Sequence, residues 1–262
     1  MEIKFHKYQG TGNDFILLDN RKNLYDEITE KQVAFICDRH FGIGADGLML
    51  LNLKEGYDFE MKYYNADGAK GSLCGNGSRC MIRFAESMGI RRDHYHFLAA
   101  DGEHEAEIDI KDIVRLKMND VNKVEAHANY FIVNTGSPHY IKQVNNVMEI
   151  DVRSTGRIIR NSKEFEKEGI NVNFVETLHN DTIYVRTYER GVEDETLSCG
   201  TGVTAAALVC AHNDNGFNRV EVKTLGGNLS VEFDKKDENH FENIWLNGPA
   251  NFVFKGEIEL IS

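Results

Sequence analysis

Two short stretches concentrate the residues that could do chemistry. Residues 72–80 read SLCGNGSRC and residues 197–205 read LSCGTGVTA. Each has Cys-Gly-x-Gly opening an expected helix, with Cys74 and Cys199 at the two starts, about half the 262-residue chain apart. Two copies at that spacing point to an internal duplication. A thiol at a helix start meets unpaired backbone N–H groups and the positive end of the helix dipole, and both favour the thiolate. The glycines remove side chains that would block a substrate. The same N–H groups, at Gly75, Asn76, Gly200 and Thr201, can bind a carboxylate. If both helix ends share one carboxylate, charge that builds on it during α-proton removal is stabilised. A duplicated fold can bring both starts to one central cleft, one thiol on each side. That pairing suits a two-base proton transfer at a carbon stereocentre. The remaining cysteines, Cys37, Cys80 and Cys210, sit on apolar helix faces and read as small buried hydrophobes.

Other polar residues gather near these stretches. Glu189-Arg190 and Asn65 close equivalent strands shortly before each cysteine. An arginine offers a two-pronged carboxylate contact, or an ordinary surface ion pair. His139, in the turn after Ser137-Pro138, can set the charge state of a thiol or serve as a satisfied structural histidine. Asn13 and Asn171 sit in glycine-flanked turns. They can hold a substrate amine or carboxylate, or stabilise a tight turn.

Composition narrows the class. The net charge of −12 argues against a general nucleic-acid binder. No run of 18 or more apolar residues occurs, so no membrane-spanning helix is expected. The N-terminal MEIKFHKYQG lacks the apolar region of a signal peptide, so the expectation is cytoplasmic. Five cysteines without small-scaffold spacing suggest free thiols in a reducing compartment. With no CxxC pair and no HExxH, no metal is expected.

The elements that must position these groups repeat in order. Strands are expected at 2–8 and 14–18, joined by the glycine turn Gly10-Thr11-Gly12-Asn13. A helix over 29–39 has a possible capping box in Thr29 and Gln32. Strands at 48–53 and 57–64 lead to the first cysteine helix, which ends near Met88 before Gly89. Strands follow at about 94–99, 104–110 and 112–118. The second half gives a strand at 129–134, a turn at 135–139, a helix near 154–167, a strand in GINVNFV and another at 182–188. The second cysteine helix, about 200–212, is apolar nearly all round and therefore buried on most sides. Strands at about 218–223, 228–234, 242–247 and 251–257 end the chain. The expected fold class is α+β: two similar halves, each a mostly antiparallel sheet wrapped around a central helix. The halves are 1–118, onto which a tail at about 253–262 can pack back, and 119–262, with a polar hinge near 118–127.

These residues resemble one known family, the diaminopimelate epimerases. The matching motifs are GTGNDF (10–15), GIGADG (42–47), NADG (65–68), CGNGSRC (74–80), SPH (137–139), INVNF (170–174), YERG (188–191) and ETLSCGTG (195–202). They span nearly the whole chain in family order. The resemblance implies cofactor-independent interconversion of LL- and meso-diaminopimelate, for lysine and peptidoglycan synthesis. It also implies two similar domains in pseudo-two-fold relation closing over the substrate, and a homodimer. It assigns Cys74 and Cys199 as the two acid/base groups. It assigns ligand binding to Asn13, Asn65, Gly75, Asn76, Asn171, Glu189, Arg190, Gly200 and Thr201, and thiol tuning to His139 and Glu189. Three positions depart from the family pattern. Gly47 stands where some members carry Gln, and Ser137 where many carry Asn. The stretch from Glu189 to Cys199 is one residue longer than the form ERGxxETxxC, which suggests a local bulge. Two other classes stay open on the residues alone: a related racemase of another amino acid, and a non-catalytic amino-acid-binding protein.

Overall fold

The computed structural model describes residues 2–71, 73–179, 181–211 and 215–260. Ser72 of the first motif and His212, the expected end of the second cysteine helix, lie outside the described residues. The chain divides into two compact units, Met1–Leu116 with Gly248–Ser262, and Lys117–Asn247.

Unit 1 opens with a hairpin of β1 (Glu2–Gly10) and β2 (Asn13–Asp19), in register Gly10↔Asn13. Its two-residue loop, Thr11 and Gly12, has positive φ at both positions, the backbone whose twist matches a right-handed hairpin. Helix α1 (Glu30–Cys37) follows, and Thr29 and Gln32 close the capping box at its start. Such a cap adds about 1 kcal/mol. Strand β3 (Gly47–Asn52) pairs parallel to β2 and antiparallel to β4 (Phe59–Asn65). Helix α2 (Gly75–Ser87) then crosses over to β5 (His94–Ala99), which pairs parallel to β4. Antiparallel β6 (Gly102–Ile108) and β7 (Val114–Lys117) complete this edge. The other edge is β17 (Asn251–Glu259), antiparallel to β1. Every residue of β3 is buried because both sheet faces are covered. Ile16, Leu18, Leu48 and Leu50 share a core with Val33 and Ile36 of α1. A Cβ at Gly77 of α2 would strike the end of Met49 and touch Phe15 on the opposite face.

Unit 2 repeats this plan. Strands β8 (Val124–Ala126) and β9 (Phe131–Asn134) are antiparallel, as are β9 and β10 (Pro138–Gln143). Helix α3 (Val152–Arg160) links β10 to parallel β11 (Asn171–His179). Antiparallel β12 (Thr182–Glu189) follows, then a short return strand β13 (Asp194–Thr196), then α4 (Gly200–Cys210). Strand β14 (Gly216–Thr224) pairs parallel to β12, and β15 (Gly227–Lys235) and β16 (Phe241–Gly248) continue antiparallel. Val172, Phe174 and Tyr188 pack with Val152 and Ile159 on the α3 side. The alternation of β11 therefore turns Asn171 and Asn173 to the α4 side. In each unit two parallel pairings, each bridged by a helix, sit among antiparallel ones.

Several expected bounds moved. The helix near 154–167 starts earlier, at Val152, where Asp151 caps it through Ser154 N–H at 3.0 Å, and it ends at Arg160. The turn at 135–139 is shorter, because Pro138 opens a strand, a position that needs no N–H donor. The polar hinge contains β8, whose pairing with β9 outweighs its composition.

Candidate active site

Both cysteines cap their helices with nearly the same backbone. Cys74 has φ −113° and ψ 115°, and Cys199 has φ −118° and ψ 111°. The carbonyl of Cys74 accepts from Ser78 N–H at 2.7 Å, and that of Cys199 from Val203 N–H at 2.8 Å. Neither thiol caps its own helix through a side-chain bond. The first-turn N–H groups of a helix point out of its N-terminus, the arrangement that can bind an anion. Cys199 is buried, and Cys74 is half-buried.

In unit 1 a polar lattice surrounds the helix start. Asn76 donates from Nδ2 to Asn13 Oδ1 at 2.5 Å, and Asn13 donates from Nδ2 to Asp46 Oδ2 at 2.9 Å. Asp46 also accepts from Asp14 N–H and pairs with Arg39 at 2.8 Å. Asp14 pairs with Lys7 and Arg39, each at 2.7 Å. Burial alone would raise the Asp14 carboxyl, but Arg39 and Lys7 outweigh it and hold it at about 2. This lattice explains why GTGNDF and GIGADG occur together: the second motif holds the asparagine of the first. Arg79, fully buried, closes the lattice from within α2. Its guanidinium donates to Asn76 Oδ1 (2.9 Å), Thr11 Oγ1 (3.1 Å), Gly75 O (3.3 Å) and Pro249 O (3.5 Å). Burial pulls it down to about 10, against the pull of the Cys80 and Cys74 thiols.

Gly47 faces Asn65 across β3 and β4. A Cβ at Gly47 would meet the Tyr63 ring at 2.5 Å and its hydroxyl at 3.1 Å. The tyrosine therefore fills the space that a longer residue at position 47 would need. Asn65 ends β4, and its backbone N–H donates to Ala69 O at 2.9 Å.

In unit 2, Asn171 binds the neighbouring loops. Its Oδ1 accepts from Arg190 N–H at 2.9 Å, and its Nδ2 donates to Ser137 Oγ at 2.8 Å and Pro138 O at 3.2 Å. Arg190 donates from Nη1 to Glu168 O at 2.9 Å and from Nη2 to Ser137 Oγ at 3.5 Å. Ser137 thus links the two residues. The extra length after Glu189 is taken up in a tight return. Glu189 pairs with Asp194, Glu193 adopts φ 57°, and its carboxylate bonds Tyr188 Oη and Arg160. His139 is fully buried, with Nε2 2.9 Å from Thr201 Oγ1 and Nδ1 3.1 Å from Asn173 Nδ2. Burial drives it down to about 3, helped by the Arg190 cation, so it is a neutral imidazole. Thr201 Oγ1 lies 3.5 Å from Cys199 Sγ.

Thr11, Asp46 and Arg79 in unit 1, and Asn173 in unit 2, organise these helix starts without standing out in the sequence. All four lie inside the motif strings, but their weight comes from burial and partners. Among the described residues no group of His, Cys, Asp and Glu is arranged to hold a metal ion.

A family model described as diaminopimelate epimerase matches residues 5–124 and 131–253. A diaminopimelate epimerase of Flavobacterium psychrophilum is 45% identical over 257 residues, covering 98% of this chain and 100% of that protein. One of Chlorobaculum tepidum is 46% identical over 261 residues, covering 96% and 99%. Among solved structures, the Bacillus anthracis phenazine biosynthesis protein of the PhzF family is similar in fold, with a TM-score of 0.75 at 15% identity over 99% of this chain and 100% of that one. A probable proline racemase from Agrobacterium radiobacter follows the same fold, with a TM-score of 0.67 at 13% identity over 99% and 93%. The family match runs through both units and the relatives align along almost the whole length: the chain belongs to the diaminopimelate epimerase family.

Proposed function

We propose that the protein is an isomerase that interconverts LL- and meso-2,6-diaminopimelate without a cofactor, and that Cys74 and Cys199 are its two acid/base groups. One cysteine, as thiolate, removes the α-proton, and the other, as thiol, protonates the opposite face of the same carbon. The roles exchange for the reverse reaction, so the resting protein holds one thiolate and one thiol. The backbone N–H groups of Gly75, Asn76, Gly200 and Thr201 bind the carboxylate of the reacting centre and take up the charge that develops there. Asn13, Asn65, Asn171, Glu189 and Arg190 receive the rest of the substrate, with Arg190 on the distal carboxylate. His139 and Glu189 tune the thiols. The activity serves lysine and peptidoglycan synthesis, and the protein works as a cytoplasmic homodimer. The observation that carries this reading is the matched pair of cysteine N-caps, each opening a buried helix with nearly the same backbone angles. Incubation with LL-diaminopimelate, with the stereoisomers separated by chromatography, should yield the meso isomer. Conversion of another amino acid, with diaminopimelate left untouched, would move the protein to a different substrate within the same fold. No conversion of any amino acid that it binds would leave a binding protein.

A further inference from the structure

The hydrogen bonds behind Cys199 have a direction that the partners' chemistry fixes. Asn173 is fully buried on β11, and one end of its amide lies 3.2 Å from the Tyr140 carbonyl. A carbonyl only accepts, so that end is Nδ2. The same nitrogen faces His139 Nδ1 at 3.1 Å, which must therefore accept. The other end, Oδ1, accepts from the Thr187 hydroxyl at 2.8 Å, its cross-strand neighbour on β12. A neutral imidazole that accepts at Nδ1 carries its proton on Nε2. Nε2–H then donates to Thr201 Oγ1 at 2.9 Å. Thr201 is the second residue of α4, so no carbonyl of that helix lies one turn back to take its hydroxyl proton. The Cys199 sulfur, at 3.5 Å, is positioned to take it. A bond from Thr135 Oγ1 to the Thr201 carbonyl, 2.9 Å, anchors the residue. Gly202 completes the arrangement, because any Cβ there would collide with Asn173 Oδ1.

We propose that Asn173 and Thr201 are positioning residues that fix the polarity of a relay, Thr187 to Asn173 to His139 to Thr201 to Cys199, so that a hydroxyl proton is held toward the Cys199 sulfur. A donor aimed at sulfur favours the thiolate over the thiol. The Arg190 cation opposes any second proton on His139. The consequence for turnover rests on the epimerase reading, but the direction of the relay does not.

The test needs no substrate. Each thiol is alkylated with iodoacetamide across a pH series, and modification at Cys74 and Cys199 is counted separately by peptide mass spectrometry. Thr201→Val removes the donor while keeping the shape. It should raise the alkylation midpoint of Cys199 by roughly one to two pH units, the scale of a hydrogen bond to a charged group, and leave Cys74 unchanged. Thr201→Ser should restore the wild-type midpoint. A Cys199 midpoint unmoved by Thr201→Val would overturn the relay. Independently, 15N chemical shifts of the His139 ring should show a bare Nδ1 and a protonated Nε2. The opposite tautomer would overturn the assigned direction. A shifted midpoint in a protein that epimerises nothing would keep the relay and dismiss the proposed function, so the two claims fail separately.

Discussion

Helices α2 and α4 start alike and rest on different ground. In unit 1, β2 and β3 place Phe15 and Met49 beneath the third helical position, and Gly77 makes room for the methionine. In unit 2 the equivalent strands, β10 and β11, place His139 and Asn173 beneath Gly202. The same glycine in the same motif therefore admits an apolar side chain in one unit and a hydrogen-bonded amide in the other. The polar groups of unit 1 lie instead around Asn76 and Arg79, where a buried guanidinium meets neutral acceptors. Duplication preserved the backbone that presents a thiol and its N–H groups. The support behind each thiol diverged, to a fixed cation on one side and a neutral relay on the other. The proposed two-base chemistry needs one thiolate and one thiol at rest, and unequal surroundings favour that difference.

Removal of either thiol should have the largest effect. Cys74→Ser and Cys199→Ser should each abolish epimerisation, because an alcohol is a far weaker acid and base than a thiol near neutral pH. Near wild-type turnover by either variant would end the two-base assignment. Arg190→Ala should weaken diaminopimelate binding about ten- to a hundred-fold, the scale of a lost charge-assisted bond of about 1.5–3 kcal/mol. Arg190→Lys should recover part of it, since a lysine lacks the planar fork. Equal losses for a substrate analogue without the distal carboxylate would remove Arg190 from that role.

The two third-position glycines should respond differently to a methyl group. Gly202→Ala forces a methyl against an amide held at both ends, and should destabilise the protein by about 1–3 kcal/mol in urea titrations. Gly77→Ala meets the mobile end of Met49, and alanine's better helix propensity, about 1 kcal/mol, offsets the adjustment. Its net effect should stay within about 1 kcal/mol, and equal costs at the two sites would contradict the difference in support. Acid should separate the units more gently. The unfolded chain protonates His139 near its ordinary 6.5, while the folded chain resists until about 3. The contribution of the neutral imidazole is thus full above about pH 6.5 and falls as pH drops toward 3. Asp14 in unit 1 keeps its ionised form down to about 2, so its contribution is lost only below its ordinary 3.8. Amide hydrogen exchange between pH 6.5 and 4 should show unit 2 loosening first, and His139→Gln should flatten that slope.

Much of this was legible in the residues. The cysteine helices were written in Cys-Gly-x-Gly, the β1–β2 turn in its glycines, and the α1 start in Thr29 and Gln32. The buried character of α4 followed from its apolar run, since an apolar surface all round leaves no face for water. What stayed hidden depends on distance in the chain. Arg79 and Asn173 look like surface residues until the fold buries them and supplies partners from the β1–β2 loop, β10 and β12. Strand β8 carries a hinge-like composition and gains its order by pairing with β9. The role of Asp46 needs the start of β2 laid beside it.

The most direct measurement is isotope position after the first turnovers in deuterated water. LL-diaminopimelate is incubated briefly, and the remaining substrate and the meso product are separated and weighed by mass spectrometry. If Cys74 and Cys199 act on opposite faces as proposed, the acid that reprotonates carbon has already exchanged with solvent. The meso product should then carry one deuterium at the inverted α-carbon, while the unconverted LL substrate keeps its protium. Product that retains the substrate's own proton, or deuterium entering substrate and product equally from the start, would mean one base serving both faces, and would contradict the division of labour between Cys74 and Cys199.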